Sequence, residues 1–150
     1  MDIRRLTPDD DALYDAMLDL FGAAFEDPDH YNAARPDAAY RRELLADPNI
    51  VLLVAMRDGA VVGALAGYIL RKFEQERSEA YIYDLAVDEN CRRQGVATAL
   101  IAALKPIAAA RGAWVIFVQA DHGDAPAMAL YGNLGACEEV LHYDIAVAPG

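Results

Sequence analysis

Two apolar runs on either side of a single Asp-Gly pair constrain the fold of this 150-residue chain more than any other feature. The segment NIVLLVAMRDGAVVGALAGYIL, residues 49–70, is apolar before Asp58 and after Gly59. Asp-Gly between apolar runs favours a two-residue β-turn, because Gly, and Asp more than most residues, adopts a positive φ. We therefore predict a central β-hairpin, to which SEAYIYDLAV, residues 78–87, adds a third strand.

In the remaining segments, the spacing of apolar residues predicts further strands and helices. DIRRL predicts a first strand, EDPDHYNAARP (residues 26–36) a loop, and residues 37–45 a short helix. A helix capped by Thr7 or Asp9 is indicated by apolar residues at helical spacing: Leu13, Met17, Leu20, Phe21 and Phe25. After the three strands we predict a helix over residues 95–111, the buried strand AWVIFVQA, a helix in DAPAMALYGNLG and a closing strand CEEVLHYDIAV.

The resulting order, β-α-α-β-β-β-α-β-α-β, predicts a mixed α/β fold with a strand–helix–strand crossover in its second half. Asp124 is expected to cap the last helix, with Pro126 in its first turn. Pro106 lies inside the preceding helix and is expected to kink it, since proline removes a helical hydrogen bond.

Composition narrows the classes of function. The length suits one domain over residues 1–150, and the apolar runs are too short to span a membrane. There is no signal-peptide core, and Cys91 and Cys137 show no metal or disulfide pattern, so we expect a cytoplasmic protein. The net charge of −11 disfavours nucleic acid and anionic membranes and permits a polycationic ligand, although acid that only maintains solubility is an alternative.

The segment CRRQGVATAL places positive charge at the start of a predicted helix in this acidic chain. Helix N-termini present unpaired N–H groups and a partial positive charge, and arginine guanidinium groups match phosphate oxygens. Gly95 allows a ligand to approach the backbone closely. The segment therefore predicts a phosphate site, and a solvated basic turn is the alternative.

In its context this segment resembles a family signature. Arg92-x-x-Gly95-x-Ala97 after YIYDLAV is similar to the pyrophosphate-binding signature of the GNAT acyltransferases, [QR]-x-x-G-x-[GA]. The blocks YIYDLAV, RRQG-x-ATALI, VQAD-x-GD-x-P-A, ALY-x-x-LG and EEV-x-H-x-DI resemble the type I aminoglycoside 3-N-acetyltransferases over residues 80–145. The resemblance implies the GNAT fold, with a mixed, mostly antiparallel sheet flanked by helices.

The resemblance also implies the reaction: direct transfer of acetyl from acetyl-CoA to the 3-amino group of an aminoglycoside, without a metal. Cofactor binding is then expected at the pantetheine-pairing strand, the pyrophosphate loop and the last helix: Leu85, Ala86, Val87, Arg92, Arg93, Gln94, Gly95, Val96, Ala97, Thr98 and Pro126. Plain core packing is the alternative for Leu85 and Val87.

The transfer needs a base for the substrate ammonium and an acid for the departing thiolate. Asp121, after the strand VIFVQA, is the preferred base, and Asp84, in an otherwise apolar strand, is the second candidate. Tyr131 matches the tyrosine that many GNAT enzymes direct at the sulfur. Structural alternatives are an ion pair for Asp84, a turn for Asp121 and core packing for Tyr131.

Acidic loops are the expected binding surface for a cationic drug. Substrate contacts are expected from Tyr83, Asp84, Asp121, Asp124, Glu139 and Asp144. Other acidic candidates are Glu26, Asp27, Asp29, Glu74, Glu76, Glu79 and Glu138. The three histidines share no metal spacing. Two other functions remain open: acetylation of another polyamine or metabolite amine, and a non-catalytic acyl-CoA sensor. The resemblance also favours a homodimer.

Overall fold

The computed structural model describes residues 1–148, which divide into two compact units, Met1–Gln119 and a second that begins at Ala120. The first unit contains strands β1 to β5 and helices α1 to α4, and the second contains helix α5. The bounds are β1 Asp2–Arg5, α1 Asp11–Ala24, α2 Pro28–Asn32, α3 Ala38–Ala46, β2 Ile50–Arg57, β3 Ala60–Arg71, β4 Ser78–Val87, a 3₁₀ turn Glu89–Cys91, α4 Val96–Ala110, β5 Ala113–Val118 and α5 Ala125–Leu134.

The five strands lie in the order β1-β2-β3-β4-β5. The first three pairings are antiparallel and β4 pairs with β5 in parallel, so the predicted mixed sheet and its strand–helix–strand crossover are confirmed. The predicted hairpin is also confirmed, because β2 and β3 meet at Asp58 (φ 50°) and Gly59 (φ 79°). Two successive positive φ angles are typical of the type I′ turn that matches strand twist.

Helices cover both faces of the sheet in the first unit. α1 packs on one face through Tyr14, Met17, Leu20 and Phe21, which join a buried cluster with side chains of β2, β3 and β4. α4 packs on the other face through Val96, Leu100, Ile101, Leu104 and Ala108. The alternation of β-strand side chains supplies both layers, since Leu52 and Val54 belong to the α1 cluster while the buried Leu53 lies between them in sequence.

Two predicted details of the N-terminal helices need correction. The cap of α1 is Asp10, not Thr7 or Asp9, and its carboxylate accepts hydrogen bonds from the Thr7 N–H (2.7 Å) and hydroxyl (3.0 Å). Residues 26–36 were expected to form a loop, but Pro28–Asn32 is a helix. Asp27 starts it by accepting from the His30 N–H, and proline fits the first helical turn.

The predicted closing strand CEEVLHYDIAV is wrong. The structure assigns no strand to residues 137–147, and their side chains are exposed, including Leu141 (80 %), Tyr143 (76 %) and Ile145 (88 %). Alternating apolar residues predict a strand only where a neighbouring strand completes the hydrogen bonds, and these residues have no ladder partner within residues 1–148. α4, in contrast, runs through Pro106 as one continuous helix. None of the helices within residues 1–148 is long and apolar enough to cross a membrane.

Candidate active site

The segment that links β4 to α4 is built around residues with left-handed backbone conformations. Gly95, the N-cap of α4, has φ +79°, and a Cβ at this position would meet nothing within 4 Å. Arg93 also has a positive φ (59°), which is unfavourable for a non-glycine residue. Strained residues of this kind often occur in ligand-binding loops. The backbone at Gly95 is therefore open to close approach by a ligand.

The first turn of α4 presents hydrogen-bond donors. The first helical bond runs from the Ala99 N–H to the Gly95 carbonyl (3.0 Å), which leaves the N–H groups of Val96, Ala97 and Thr98 without an intrahelical acceptor. The exposed Arg92 and Arg93 side chains precede this turn. Donors, a helix dipole and two guanidinium groups together fit a phosphate or pyrophosphate group.

Gln94 fixes this loop to the rest of the first unit. Its side-chain oxygen accepts a hydrogen bond from Arg57 Nη1 (2.6 Å), and its side-chain nitrogen donates to the Asn90 carbonyl (3.2 Å). Arg57 lies at the end of β2, beside the central hairpin turn. Gln94 therefore holds the loop in place through its side chain, so a ligand would meet its backbone.

Strand β4 extends beyond the end of its parallel partner β5. Their pairing ends at Ile82 and Val118, whereas β4 continues to Val87. On the side that faces away from β3, residues Leu85, Ala86 and Val87 thus have no strand partner within the described sheet. An extended ligand with amide groups can bind to such an edge by strand addition. This edge adjoins the loop that precedes α4, since Arg92 Nε donates to the Val87 carbonyl at 3.4 Å.

A β-bulge lies between the two halves of β4. Ala66 of β3 pairs with Asp84 and Gly67 pairs with Ile82, so Tyr83 is the extra residue of β4. A bulge bends the strand and redirects its side chains. Here Tyr83 is 63 % exposed and its ring packs edge-on against Tyr68 (centroids 5.9 Å apart) and Tyr81 (5.7 Å).

Asp84 is a half-buried carboxylate in aromatic surroundings. The Tyr31 hydroxyl of α2 donates to Asp84 Oδ2 at 3.3 Å. Burial raises the pKa of the Asp84 carboxyl, while the Tyr31 hydrogen bond and the charge of His30 partly oppose that rise. Burial, and after it the Asp84 charge, raises the pKa of the Tyr31 phenol, which stays protonated as a donor. A carboxylate with a raised pKa and few charged neighbours is suited to accept a proton.

Tyr31 is the residue of this site that the sequence analysis missed. It lies in the segment that was expected to be a loop, and no motif marks it. Its ring packs against Phe21 of α1 (5.9 Å) and against Phe25 (6.0 Å), the residue after α1. The only sequence signal was the spacing of the aromatic residues Phe21, Phe25 and Tyr31, which is equally typical of a hydrophobic core.

The second unit holds the other sequence-predicted site residues. Asp124 caps α5 by accepting from the Ala127 N–H (3.3 Å), and Pro126 lies in the first turn, both as predicted. Asp121 is exposed in the preceding turn, where its carbonyl accepts from the Asp124 N–H (3.2 Å). Burial, and after it the charge of Asp124, raises the pKa of the Tyr131 phenol on α5. Tyr131 is therefore a neutral donor at physiological pH.

The acidic candidates occupy different environments. Glu139 and Asp144 are exposed. Asp144 Oδ1 lies within hydrogen-bond distance of His142 Nε2, at 2.8 Å. Glu74 and Glu79 form ion pairs with Lys72 (3.8 and 3.9 Å), which partly neutralises them. Within residues 1–148, no three His, Cys, Asp or Glu side chains cluster in a way that could hold a metal ion.

Comparison with solved structures gives two close relatives. An aminoglycoside acetyltransferase from an uncultured soil metagenomic sample is 54% identical, with a TM-score of 0.95 and coverage of 98% of both chains. A second aminoglycoside acetyltransferase from such a sample, in complex with sisomicin, is 34% identical, with a TM-score of 0.88 and coverage of 98% of this chain and 96% of that one.

More distant likenesses show the fold alone. AAC(6')-Iy, in complex with a CoA-containing bisubstrate analogue, is 20% identical, with a TM-score of 0.76 and coverage of 97% of both chains. None of the curated proteins matches the chain. The model of the acetyltransferase (GNAT) family matches residues 11–136. The match spans the loop before α4 and Asp84 and covers more than half of the chain, so the chain belongs to the GNAT acetyltransferase family.

Proposed function

We propose that this protein is an acetyl-CoA-dependent aminoglycoside 3-N-acetyltransferase. The observation that carries the proposal is the half-buried Asp84 carboxylate, which lies among tyrosines on the same strand as the unpaired edge at residues 85–87. Similarity to two aminoglycoside acetyltransferases, one of them in complex with sisomicin, supports an aminoglycoside as substrate. The choice of the 3-amino group rests on the sequence resemblance.

Acetyl-CoA is expected to bind along β4 and at the start of α4. Arg92, Arg93 and the N–H groups of residues 95–98 would hold the pyrophosphate, because they supply charge and donors at one helix end. The unpaired backbone of residues 85–87 would pair with the pantetheine amides. Pro126, in the first turn of α5, is retained as a cofactor contact from the resemblance. Bound acetyl-CoA supplies the thioester, and these groups orient it.

The surroundings of the two candidate bases favour Asp84. Its carboxylate is half-buried and has a raised pKa, whereas Asp121 is exposed. A base that works near neutral pH benefits from a pKa raised toward that pH. In this proposal the amine nitrogen bonds to the acetyl carbon, Asp84 accepts the proton that nitrogen loses, and the carbon–sulfur bond breaks. Asp121 then contacts the substrate, and Tyr131 donates a proton to the thiolate.

Charge and aromatic rings support a cationic substrate. Tyr31, Tyr68 and Tyr83 present ring surfaces close to Asp84, and a substrate ammonium is attracted by both the carboxylate and the rings. Further acidic contacts are proposed from Asp124, Glu139 and Asp144. The chain carries 24 acidic against 13 basic residues, which draws a ligand of several positive charges toward it.

The test is thiol release from acetyl-CoA with gentamicin, sisomicin or spermidine, followed by NMR mapping of the acetylated product. Turnover of gentamicin and sisomicin with acetyl on the 3-amino nitrogen is expected. Acetylation at another amine would refute the regiochemistry, and turnover of spermidine alone would favour a polyamine substrate. Tight CoA binding without turnover of any amine would indicate the acyl-CoA sensor.

The same proposal includes one functional domain, a cytoplasmic location and a homodimer. The two cysteines are free, which suits a reducing compartment. The tendency of the family to form dimers supports the oligomeric state. Light scattering should give about twice the chain mass of 16.3 kDa, and a monomer mass at assay concentration would rule out the dimer.

A further inference from the structure

We propose that Tyr31 is a positioning residue for Asp84: its hydroxyl holds the carboxylate beside the substrate and sets the pH range in which that carboxylate accepts a proton. The inference rests on the proposed role of Asp84 as the base and extends it to a residue on a different element. It begins with the one side-chain hydrogen bond that Asp84 makes among the described residues, from the Tyr31 hydroxyl at 3.3 Å.

The packing of Tyr31 explains why it can hold a carboxylate in place. Its ring contacts Phe21 of α1 and Phe25, the residue after α1, with ring centroids 5.9 and 6.0 Å away, and His30 lies edge-on at 4.9 Å. Phe21 is 2 % exposed, so the ring is anchored to the core of the first unit. An anchored ring leaves the hydroxyl little freedom. Asp84 of β4, 53 positions away in sequence, is therefore held in place by a contact with α2.

The length of the hydrogen bond is consistent with an adjustable contact. O–H···O bonds are most often about 2.7–2.8 Å long, so 3.3 Å is a weak bond. Catalytic hydrogen bonds are often long before the substrate is bound and shorten in the complex. The phenol cannot lose its proton to Asp84, because burial and the neighbouring charge raise the pKa of Tyr31 above its usual value. It therefore acts as the donor to the ionised Asp84 carboxylate.

The other groups around Asp84 contribute less to its protonation. The titratable and charged groups near this carboxylate are His30 and Tyr31 of α2, Tyr68 on β3, and Tyr81 and Tyr83 on β4, and Asp27 lies near Tyr31. Phe21 of α1 and Phe25, which follows α1, contact Tyr31. Among them, only Tyr31 donates a hydrogen bond to Asp84, and His30 acts through its charge at a distance. Removal of the Tyr31 hydroxyl therefore changes one interaction with the base and leaves the others.

The decisive variant is Tyr31→Phe, which keeps the ring and removes the hydroxyl. A hydrogen bond to the charged form lowers a carboxyl pKa, so its loss should raise the pKa of Asp84. The acid limb of the pH profile of kcat/KM for sisomicin should move up by about 0.5–1 pH unit. Activity on that limb should fall about 3- to 10-fold, since one unit corresponds to tenfold, while the KM for acetyl-CoA stays unchanged.

Two variants serve as controls. Tyr40→Phe makes the same change at an exposed tyrosine of α3 (59 % exposed) and should leave the acid limb where it is. Asp84→Asn should abolish the acid limb together with most of kcat. If Asp84→Asn keeps full activity, Asp84 is not the base and the proposed function loses that assignment. If Asp84→Asn is inactive and Tyr31→Phe keeps the wild-type acid limb, the inference about Tyr31 alone is overturned.

A direct titration gives an independent measurement. In protein labelled with ¹³C at aspartate side chains, the Asp84 signal is assigned by its loss in Asp84→Asn. Its midpoint should move upward in Tyr31→Phe without any substrate present. A midpoint that does not move would contradict the inference even if turnover were reduced, because lower turnover with unchanged titration indicates a purely structural role for the ring.

Discussion

Gly63, in the middle of β3, leaves room for the start of α4. A Cβ built at this position lies 2.5 Å from Val96 Cγ1 and 3.3 Å from Leu100 Cδ1. Carbon atoms in contact are normally about 3.5–4.0 Å apart, so Gly63→Ala requires a movement of about 1 Å. Val96 is 1 % exposed and Leu100 is fully buried, so neither side chain has open space to enter. The helix itself must shift.

The cost of that shift follows from overpacking. An extra methyl group in a filled core costs about 1–3 kcal/mol, and replacing glycine by alanine returns about 0.4–1 kcal/mol by restricting the unfolded chain. The middle of the two ranges gives a net loss of about 1.3 kcal/mol, and the extremes span about 0–2.6 kcal/mol. For a chain of this size, 1 kcal/mol corresponds to about 2–4 °C, so Gly63→Ala should lower Tm by about 3–5 °C.

The same strand offers a matched control. At Gly67 an added Cβ would lie 3.5 Å from Leu65 Cδ2 and 3.5 Å from the Tyr81 carbonyl oxygen, both ordinary contacts. Gly67→Ala should therefore raise Tm slightly, by about 1–4 °C, through the restricted unfolded chain alone. The two substitutions are chemically identical and should have opposite signs.

Thermal unfolding followed by circular dichroism measures the Tm of each variant. Calorimetric titration with CoA measures the CoA affinity of each variant. Because Val96 opens α4, Gly63→Ala should also weaken CoA binding, whereas Gly67→Ala should not. A Gly63→Ala protein as stable as Gly67→Ala, with wild-type CoA affinity, would refute the steric reasoning.

Three further predictions concern the loop, the base and the acid. Gly95→Ala meets no steric contact but must adopt φ +79°, so it should lower Tm by about 2–8 °C and weaken CoA binding; wild-type values for both would show that the left-handed conformation is not required. Asp84→Asn should stabilise the protein at pH 7. The raised pKa of Asp84 means that the folded state binds the proton more tightly than the unfolded state. The ionised Asp84 side chain therefore destabilises the wild-type fold increasingly as pH rises above about 3.9. The Tm difference between Asp84→Asn and wild type should shrink as pH is lowered toward 4. Tyr131→Phe should lower kcat by about 10-fold or more at unchanged CoA affinity, and an unchanged kcat would remove Tyr131 as the acid.

Local sequence patterns predicted most of the first unit, because its turns, strands and helix starts depend mainly on residues that are close in sequence. Asp-Gly defined the central turn through its φ angles, and ten residues from Ser78 to Val87 form β4 as their alternation predicted. The start of α4 after Gly95 was predictable for the same reason, because it depends on local backbone conformation, whereas phosphate binding by this loop stays a prediction. These features depend on neighbours in sequence.

The errors concern features that depend on distant partners. The alternation in residues 137–146 is strand-like, but a strand needs a neighbouring strand, and the sequence does not state whether one is available. The choice between Asp121, which follows a strand in sequence, and Asp84 as the base stays a prediction. The burial of Asp84 and its contact with Tyr31 arise only when α2 packs near β4, and residue spacing cannot reveal that contact.

Two adjacent stretches of β4 differ in what they present. The first, residues 81–84 around the bulge at Tyr83, carries Tyr81, Tyr83 and the Asp84 carboxylate, and the second, residues 85–87, has an unpaired backbone edge. Side chains in the first stretch can therefore change during evolution without altering the edge in the second, because backbone pairing is indifferent to side-chain identity. Relatives that acetylate different amines are expected to differ around positions 81–84 while keeping the geometry of the following three residues, so exchanging the first stretch between them is a direct route to altered amine preference.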